Sequence, residues 1–177
     1  KNKEIQPKLV SIIDKDTRKM NKLISDISDY TRMKAEVEKL NNNEINIKTL
    51  LSDIIEGYSQ NKKKIKIKKS FIEGNYIVTF GNYEKLAQVF TNIIDNAMSF
   101  TPSSLSILVM FTKEDKNGFI RIIDQGPGIN IKYKDKVFER FYRDRKINEN
   151  MHSGLGLDIA KHLVESYNGN IYLENKK

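Results

Sequence analysis

The sequence predicts an α+β protein: a two-layer α/β sandwich, with a mixed sheet and helices on one face, preceded by a long N-terminal helix. The first 40 residues contain no glycine and repeat apolar side chains at helical spacing. After a short second helix, the remaining patterns run strand, strand, helix, strand, strand, helix, strand. Strand and helix patterns in that order are typical of one sheet covered on one side by helices.

A heptad seam marks the N-terminal helix. Alternate steps of four and three residues give the positions Leu9, Ile13, Asp16, Met20, Leu23, Ile27, Tyr30, Lys34 and Val37. Most of these side chains are apolar or aromatic, which is the pattern of helix-on-helix packing. A helix lying on its own domain is the alternative, but the narrow stripe between charged flanks favours packing against a second chain. Asn41-Asn42-Asn43 is expected to end this helix.

The rest of the chain divides into elements with clear apolar faces. We expect helices over residues 49–58, 83–100 and 155–168, a short helical turn over 136–142, and strands over 62–70, 76–80, 106–112, 118–123 and 171–174. The helix over 83–100 has the widest apolar stripe, and the strand over 62–70 alternates lysine with isoleucine.

Composition excludes several classes of function. The chain has no cysteine, so disulfides, thiolate metal sites and cysteine nucleophiles are absent. Its apolar runs are too short to span a bilayer, and we expect a cytoplasmic location. The net charge of +8 favours anionic partners. We expect no nucleic-acid partner, because the basic residues are not interleaved with stacking aromatic side chains.

Three segments carry polar chemistry. Gln88, Asn92 and Asn96 are spaced four residues apart, which puts three amides on one stripe of a helix. An amide oxygen suits Mg²⁺ and an amide NH₂ can donate to a phosphate, although the wet side of an amphipathic helix gives the same pattern. The second segment is the loop 124–128, Asp-Gln-Gly-Pro-Gly, whose carboxylate at a strand end can accept from an exocyclic amine. The third, Gly154-Leu155-Gly156, opens a helix and can offer backbone amides to an anion.

Together with the aromatic turn Phe138-Glu139-Arg140-Phe141-Tyr142-Arg143, these boxes resemble the ATP-binding catalytic domain of bacterial sensor histidine kinases. The wider group includes gyrase, Hsp90 and MutL. The resemblance runs from about Arg18 to Asn175 and implies a Bergerat-type ATP-binding fold with ATP and Mg²⁺ as cofactors. It also implies that residues 1–42 are the second helix of a dimerisation and phosphotransfer domain, and that residues 43–177 are the catalytic domain.

The resemblance implies a role for each site residue. Asn96 would ligate Mg²⁺, and Asn92 would contact phosphate or metal. Asp124 would hold the adenine amine with a buried carboxyl, and Phe100 would lie near the adenine. The remaining implied roles are a lid hinge at Gly126 and Gly128, a lid anchor at Phe138 and Phe141, a phosphate contact at Arg143, and backbone amides toward the β- and γ-phosphates at Gly154, Leu155 and Gly156.

The family's phosphoacceptor, a histidine followed by an acidic residue, does not occur, since the only histidines are His152 and His162. We therefore expect an N-terminally truncated kinase that passes the γ-phosphoryl group to a histidine elsewhere. Its expected partners are a phosphoacceptor helix, a response regulator and a second copy, with a membrane reached only through missing N-terminal segments. An ATPase clamp of the same fold is one alternative, although Asn92 stands where those relatives carry a glutamate. A dimerisation module with a degenerate pocket is the other.

Overall fold

The computed structural model of the chain describes residues 5–36, 43–60, 66–73, 79–142 and 153–175. Their helices and strands are α1 (Ile5–Glu36), β1 (Asn43–Ile45), α2 (Ile47–Gln60), β2 (Lys66–Phe71), β3 (Thr79–Gly81), α3 (Tyr83–Phe100), β4 (Ser106–Glu114), β5 (Asn117–Ile123) and α4 (Gly156–Ser166). Two short 3₁₀ turns, Ile131–Tyr133 and Lys136–Phe138, lie between β5 and α4.

The main sheet is mixed and has β4 at its centre. β2 pairs with β4 in parallel, and β5 pairs with β4 in antiparallel orientation through a tight hairpin. β1 and β3 form a separate antiparallel ladder of two strands. The predicted α+β class with a mixed sheet and a preceding helix is confirmed.

The core lies between this sheet and three helices. Ile107, Val109 and Phe111 alternate along β4 and are fully buried, as period-2 spacing requires of one sheet face. The helices supply the opposite side with the fully buried residues Leu50 and Leu51 of α2, Ile94 of α3, and Ala160 of α4. The core therefore anchors α3 and α4, the two helices that carry the predicted site motifs.

Local signals predicted α3 best. Its bounds are those expected, and the side chain of Asn82 caps it by accepting from the backbone N–H of Lys85 at 3.0 Å. One strand was missed, and one expectation was wrong. Residues 43–45 form β1 because they pair with β3, a partner distant in sequence that no local pattern indicates. Residues 171–174 are not in a strand. Expected elements at residues 37–40, 62–65 and 76–78 fall outside the described residues.

The stripe on α1 is exposed. Of the predicted seam, Leu9, Ile13, Met20 and Ile27 are each at least half exposed, and nothing in the described part of the chain covers them. The side chains of Tyr30 and Lys34, and residue Val37, lie outside the described residues. The alternative of a helix packed on its own domain is therefore not what the structure shows for these four positions. None of the described helices is long and apolar enough to cross a membrane.

Two tyrosines join α2 to α3 in opposite directions. The Tyr58 hydroxyl on α2 donates to Asp95 Oδ1 on α3 at 2.9 Å. The Tyr83 hydroxyl on α3 donates to Asp53 Oδ2 on α2, also at 2.9 Å. Burial is the main cause that raises the pKa of Tyr58, and the charge of Asp95 and its hydrogen bond raise it further. These two hydrogen bonds attach α2 to α3, the helix that carries the amide stripe.

The raised pKa of Tyr58 predicts a loss of stability in alkali. Below pH 10, the phenol of Tyr58 is protonated in both the folded and the unfolded chain, so it makes its full contribution to the free energy of unfolding. As pH rises through about 10, the unfolded chain releases this proton first, and the free energy of unfolding falls. We expect Tyr58→Phe to lose about 1 kcal/mol at pH 8 and to reduce the further loss between pH 9 and 11.

Urea unfolding at a series of pH values measures this effect. Tyr83→Phe is the matched control, because Tyr83 is much more exposed and should change the alkaline slope less. If the free energy of unfolding of Tyr58→Phe fell between pH 9 and 11 as steeply as that of the unmodified chain, the prediction would be contradicted.

Candidate functional site

The amide stripe of α3 faces the beginning of α4. A Cβ added at Gly156 would lie 3.7 Å from Cβ and Cγ of Asn92, so the two helices meet at this point. The Nδ2 atom of Asn92 is buried and has no hydrogen-bond partner among the described residues. A buried amide donor without a partner costs stability. Asn92 therefore packs against the first residue of α4 and has a buried donor that is not used within the described residues.

The start of α4 has free backbone donors. Leu155 occupies the N-cap position and gives no side-chain cap. Its own N–H is satisfied by Ser153 Oγ at 3.2 Å. The N–H groups of the first helical turn, beginning at Gly156, have no intrahelical acceptor, and the helix dipole adds positive potential there. Such a helix end is suited to phosphate.

Gly154 fixes the turn before this helix. Its φ of +75° is in the left-handed region, and an added Cβ would lie 2.9 Å from the backbone of Phe141. The N–H of Phe141 donates to the Gly154 carbonyl at 3.0 Å, whereas the Phe141 side chain is exposed. The backbone of Phe141, and not its ring, therefore makes this attachment. Arg143 lies outside the described residues.

The segment before Phe141 is held to α4 by side chains. Lys161 Nζ lies 5.7 Å from the centroid of the Phe138 ring, within the range of a cation–π contact. Arg140 Nε pairs with Asp158 Oδ2 at 3.3 Å. The 3₁₀ turn at Phe138 thus attaches to the first turns of the same helix that offers its backbone donors.

The loop after β5 packs on the end of α3. An added Cβ at Gly126 would lie 3.0 Å from Cβ of Phe100 and 2.9 Å from Asp124 Oδ1, so only glycine fits. The Gly126 N–H donates to Asp124 Oδ1 at 2.7 Å. The expectation of a buried carboxyl was wrong, because Asp124 follows the last residue of β5 and is exposed at the start of the loop. Its second oxygen is the one available to a ligand.

Sequence reasoning missed the role of Thr101. Its side chain is buried, and its hydroxyl accepts from the N–H of Gln125 at 3.2 Å. This bond joins the end of α3 to the loop beside Asp124. The sequence offered one signal, a hydroxyl directly after the helix and before Pro102, but it indicated only a helix stop.

The predicted residues come together along one side of α3. Asn92, Asn96 and Phe100 occupy successive turns of one helix face. Asn92 contacts the glycine that opens α4 and Phe100 contacts the loop at Gly126, so Asn96 lies between the two.

A magnesium site here would need few protein ligands. Among the described residues there is no group of three or more His, Cys, Asp or Glu side chains that could hold a metal ion. The half-buried amide of Asn96 can supply one oxygen ligand, and Mg²⁺ is commonly bound by one or two protein groups with substrate phosphates. The amide oxygen of Asn96 therefore fits a magnesium ion whose other ligands come from the phosphates of a bound nucleotide.

Comparison with known proteins identifies this arrangement. Residues 81–177, more than half of the chain, match the family described as histidine kinase-, DNA gyrase B- and HSP90-like ATPase. The chain belongs to this family. The resemblance to histidine kinase ATP-binding domains and the Bergerat-type fold that the motifs implied are both confirmed.

Relatives of this family extend the match beyond the profile. The Rhizobium meliloti (strain 1021) sensor protein ChvG is 34% identical over 187 residues, covering 99% of this chain and 32% of ChvG. The chain thus spans about a third of the length of that relative. Full-length ShkA in complex with AMPPNP is 22% identical with a TM-score of 0.77, over 97% of this chain and 36% of that one. Histidine kinase ThkA in complex with the response regulator TrrA is 20% identical with a TM-score of 0.76, over 100% of this chain and 49% of that one. The two structures show the shared fold.

Proposed function

We propose that this chain binds Mg·ATP between α3 and α4 and transfers the γ-phosphoryl group to a histidine outside these 177 residues, in two-component signal transduction. The observation that supports this most strongly is that Asn92, whose side chain packs against Gly156 at the start of α4, has a buried Nδ2 without a partner among the described residues. A phosphate oxygen would satisfy both kinds of donor at once. Full-length ShkA, which shares the fold, is in complex with an ATP analogue.

Each residue then has a defined task. Asp124 accepts from the adenine amine with its second oxygen while its first holds Gly126. Phe100 lies beside that loop and forms the end of the adenine site. The amides of Gly154 and Gly156 donate to the β- and γ-phosphates, and the Leu155 N–H would join them by exchanging Ser153 Oγ for a phosphate oxygen. Gly126 and Gly128 form the hinge of the lid, and the lid itself is the segment that runs from residue 129 to residue 142.

Two further groups neutralise charge. A magnesium ion held by Asn96 would balance the phosphate charge that builds up in the transition state. We propose that Arg143 donates to the γ-phosphate. Phosphoryl transfer depends on positioning and charge more than on a protein nucleophile, so the site needs no covalent residue. Phe138 anchors the lid on α4, while the exposed ring of Phe141 stays available to other contacts.

Transfer is favoured over hydrolysis by the chemistry of Asn92. An amide cannot act as a general base, so Asn92 can position a phosphate but cannot activate water. An ATPase clamp would need a carboxylate at this place. A degenerate pocket is the other alternative, and it gives no reason to keep a buried donor without a partner.

The proposal includes a homodimer that packs through α1. The exposed apolar side chains of Leu9, Ile13, Met20 and Ile27 support it, because a helix stripe of this kind is stabilised by a second helix.

We assign residues 1–42 to a dimerisation and phosphotransfer unit and residues 43–177 to catalysis. In a full sensor the catalytic unit would lie on the cytoplasmic side, where ATP is available. A response regulator is the proposed downstream partner, as TrrA is found with ThkA.

Phosphoryl transfer in a reconstituted mixture tests the proposal. The chain is incubated with Mg·[γ-³²P]ATP and a helical dimerisation domain that carries a histidine. We expect acid-labile label on the added domain and none on the chain itself. Release of free phosphate without labelled domain would support the ATPase alternative instead. A monomer in sedimentation equilibrium would remove the dimer from the proposal.

A further inference from the structure

The side-chain amide of Asn175 makes two hydrogen bonds to the backbone of Ile129, and we call this pair of bonds the clamp. The Ile129 N–H donates to Asn175 Oδ1 at 3.0 Å, and Asn175 Nδ2 donates to the Ile129 carbonyl at 2.6 Å. The two residues are 46 positions apart in sequence. In an antiparallel ladder, a hydrogen-bonded pair exchanges the same two bonds between backbones. Here the amide side chain of Asn175, directly after the segment 171–174 that was expected to be a strand and is not one, replaces a strand partner.

The glycine before Ile129 fits this clamp. Gly128 has a φ of +75°, and a Cβ added there would lie 3.2 Å from Asn175 Oδ1. Two independent properties of glycine are therefore used at one position, the left-handed backbone and the missing side chain. The clamp requires the close approach that Gly128 allows.

The clamp fixes the second end of the loop 124–128, the proposed adenine-binding loop. At its beginning, Thr101 Oγ1 accepts from the N–H of Gln125 at 3.2 Å and fixes the loop to α3. At its end, Asn175 fixes Ile129. The loop 124–128 is thus held at both ends, and the lid turn Ile131–Tyr133 begins directly after the clamp.

We propose that Asn175 is a positioning residue that fixes the root of the lid and, through it, the loop that carries Asp124. It touches no nucleotide itself and acts through the backbone of Ile129. This inference rests on the proposed function insofar as the loop binds adenine. Without the clamp, the end of the loop 124–128 is less ordered in the nucleotide-free protein. Ordering this end when ATP binds then uses part of the binding free energy of ATP.

Asn175→Ala and Asn175→Asp test the clamp. Alanine removes both bonds, whereas aspartate keeps the acceptor for the Ile129 N–H but faces the Ile129 carbonyl with an oxygen. In nucleotide-free protein, we expect the Ile129 amide to exchange roughly tenfold faster in the alanine variant, with core amides of β4 unchanged. We expect the dissociation constant of Mg·ATP to rise about three- to tenfold in both variants. Asn170→Ala, an exposed residue of the same segment, is the matched control and should change neither value.

Each outcome decides a separate question. An Ile129 amide that exchanges at the same rate without Asn175 would overturn the clamp. Faster exchange with unchanged ATP affinity would overturn its positioning role, and a general rise in exchange with a lower melting temperature would show a structural role only. An unmodified chain without ATP affinity would overturn the proposed function, while the exchange of Ile129 would still report on the clamp.

Discussion

Replacing Asp124 with asparagine is expected to weaken Mg·ATP binding by roughly a hundredfold. The Oδ1 atom that accepts from the Gly126 N–H is retained in the variant, so the loop keeps its shape. The second oxygen becomes an NH₂ group, which would face the adenine amine donor to donor. Guanine carries an acceptor at the equivalent position, so the variant should lose much less affinity for Mg·GTP. Selectivity between purines therefore separates a lost hydrogen bond from a damaged fold.

Thermal shift with millimolar Mg·ATP and Mg·GTP measures this change. The unmodified chain should melt at a higher temperature with ATP, and Asp124→Asn should lose that shift. Asp115→Asn, the same change in the exposed β4–β5 turn, is the control and should behave as the unmodified chain does. An ATP shift in Asp124→Asn as large as in the unmodified chain would show that Asp124 does not hold the base.

Replacing Asn92 with leucine is expected to stabilise the protein and weaken its nucleotide binding. The buried Nδ2 has no partner among the described residues, and an unpaired buried donor costs about 1–3 kcal/mol. Leucine has a similar size and no polar atom, so the free energy of unfolding should rise by about 1–2 kcal/mol. The same change removes a donor to phosphate and should weaken Mg·ATP binding tenfold or more. Effects of opposite sign are what a site residue produces when it is retained for function.

Urea unfolding and ATP titration of the same sample measure both quantities. Asn170→Leu, at an exposed position, serves as the control and should leave both nearly unchanged. A variant Asn92→Leu that is less stable than the unmodified chain would assign Asn92 to structural packing and weaken the proposal.

The parts of the fold that local patterns encode were predicted from the sequence. α3 has the bounds expected for it, because its apolar stripe lies within one stretch of chain. The loop 124–128 and the glycines before α4 were predicted for the same reason, since each is a short motif whose residue types have a direct chemical use.

The parts that depend on distant partners were not predicted. β1 has three residues and forms because β3 lies beside it. The bond from Tyr58 to Asp95 joins helices 37 positions apart, and the clamp of Asn175 spans 46. Nothing in the sequence near Asn175 or Thr101 indicates which backbone groups these side chains will reach. Contacts of this kind arise from tertiary packing, which overrides local propensity.

Nuclear magnetic resonance of the Asn92 side-chain amide during a Mg·ATP titration tests the central claim most directly. We expect the NH₂ signal of Asn92 and the backbone N–H signals of Gly154 and Gly156 to shift together and to saturate with one dissociation constant. If millimolar Mg·ATP leaves the Asn92 signal unchanged, no phosphate reaches the buried donor, and the site between α3 and α4 does not bind the nucleotide.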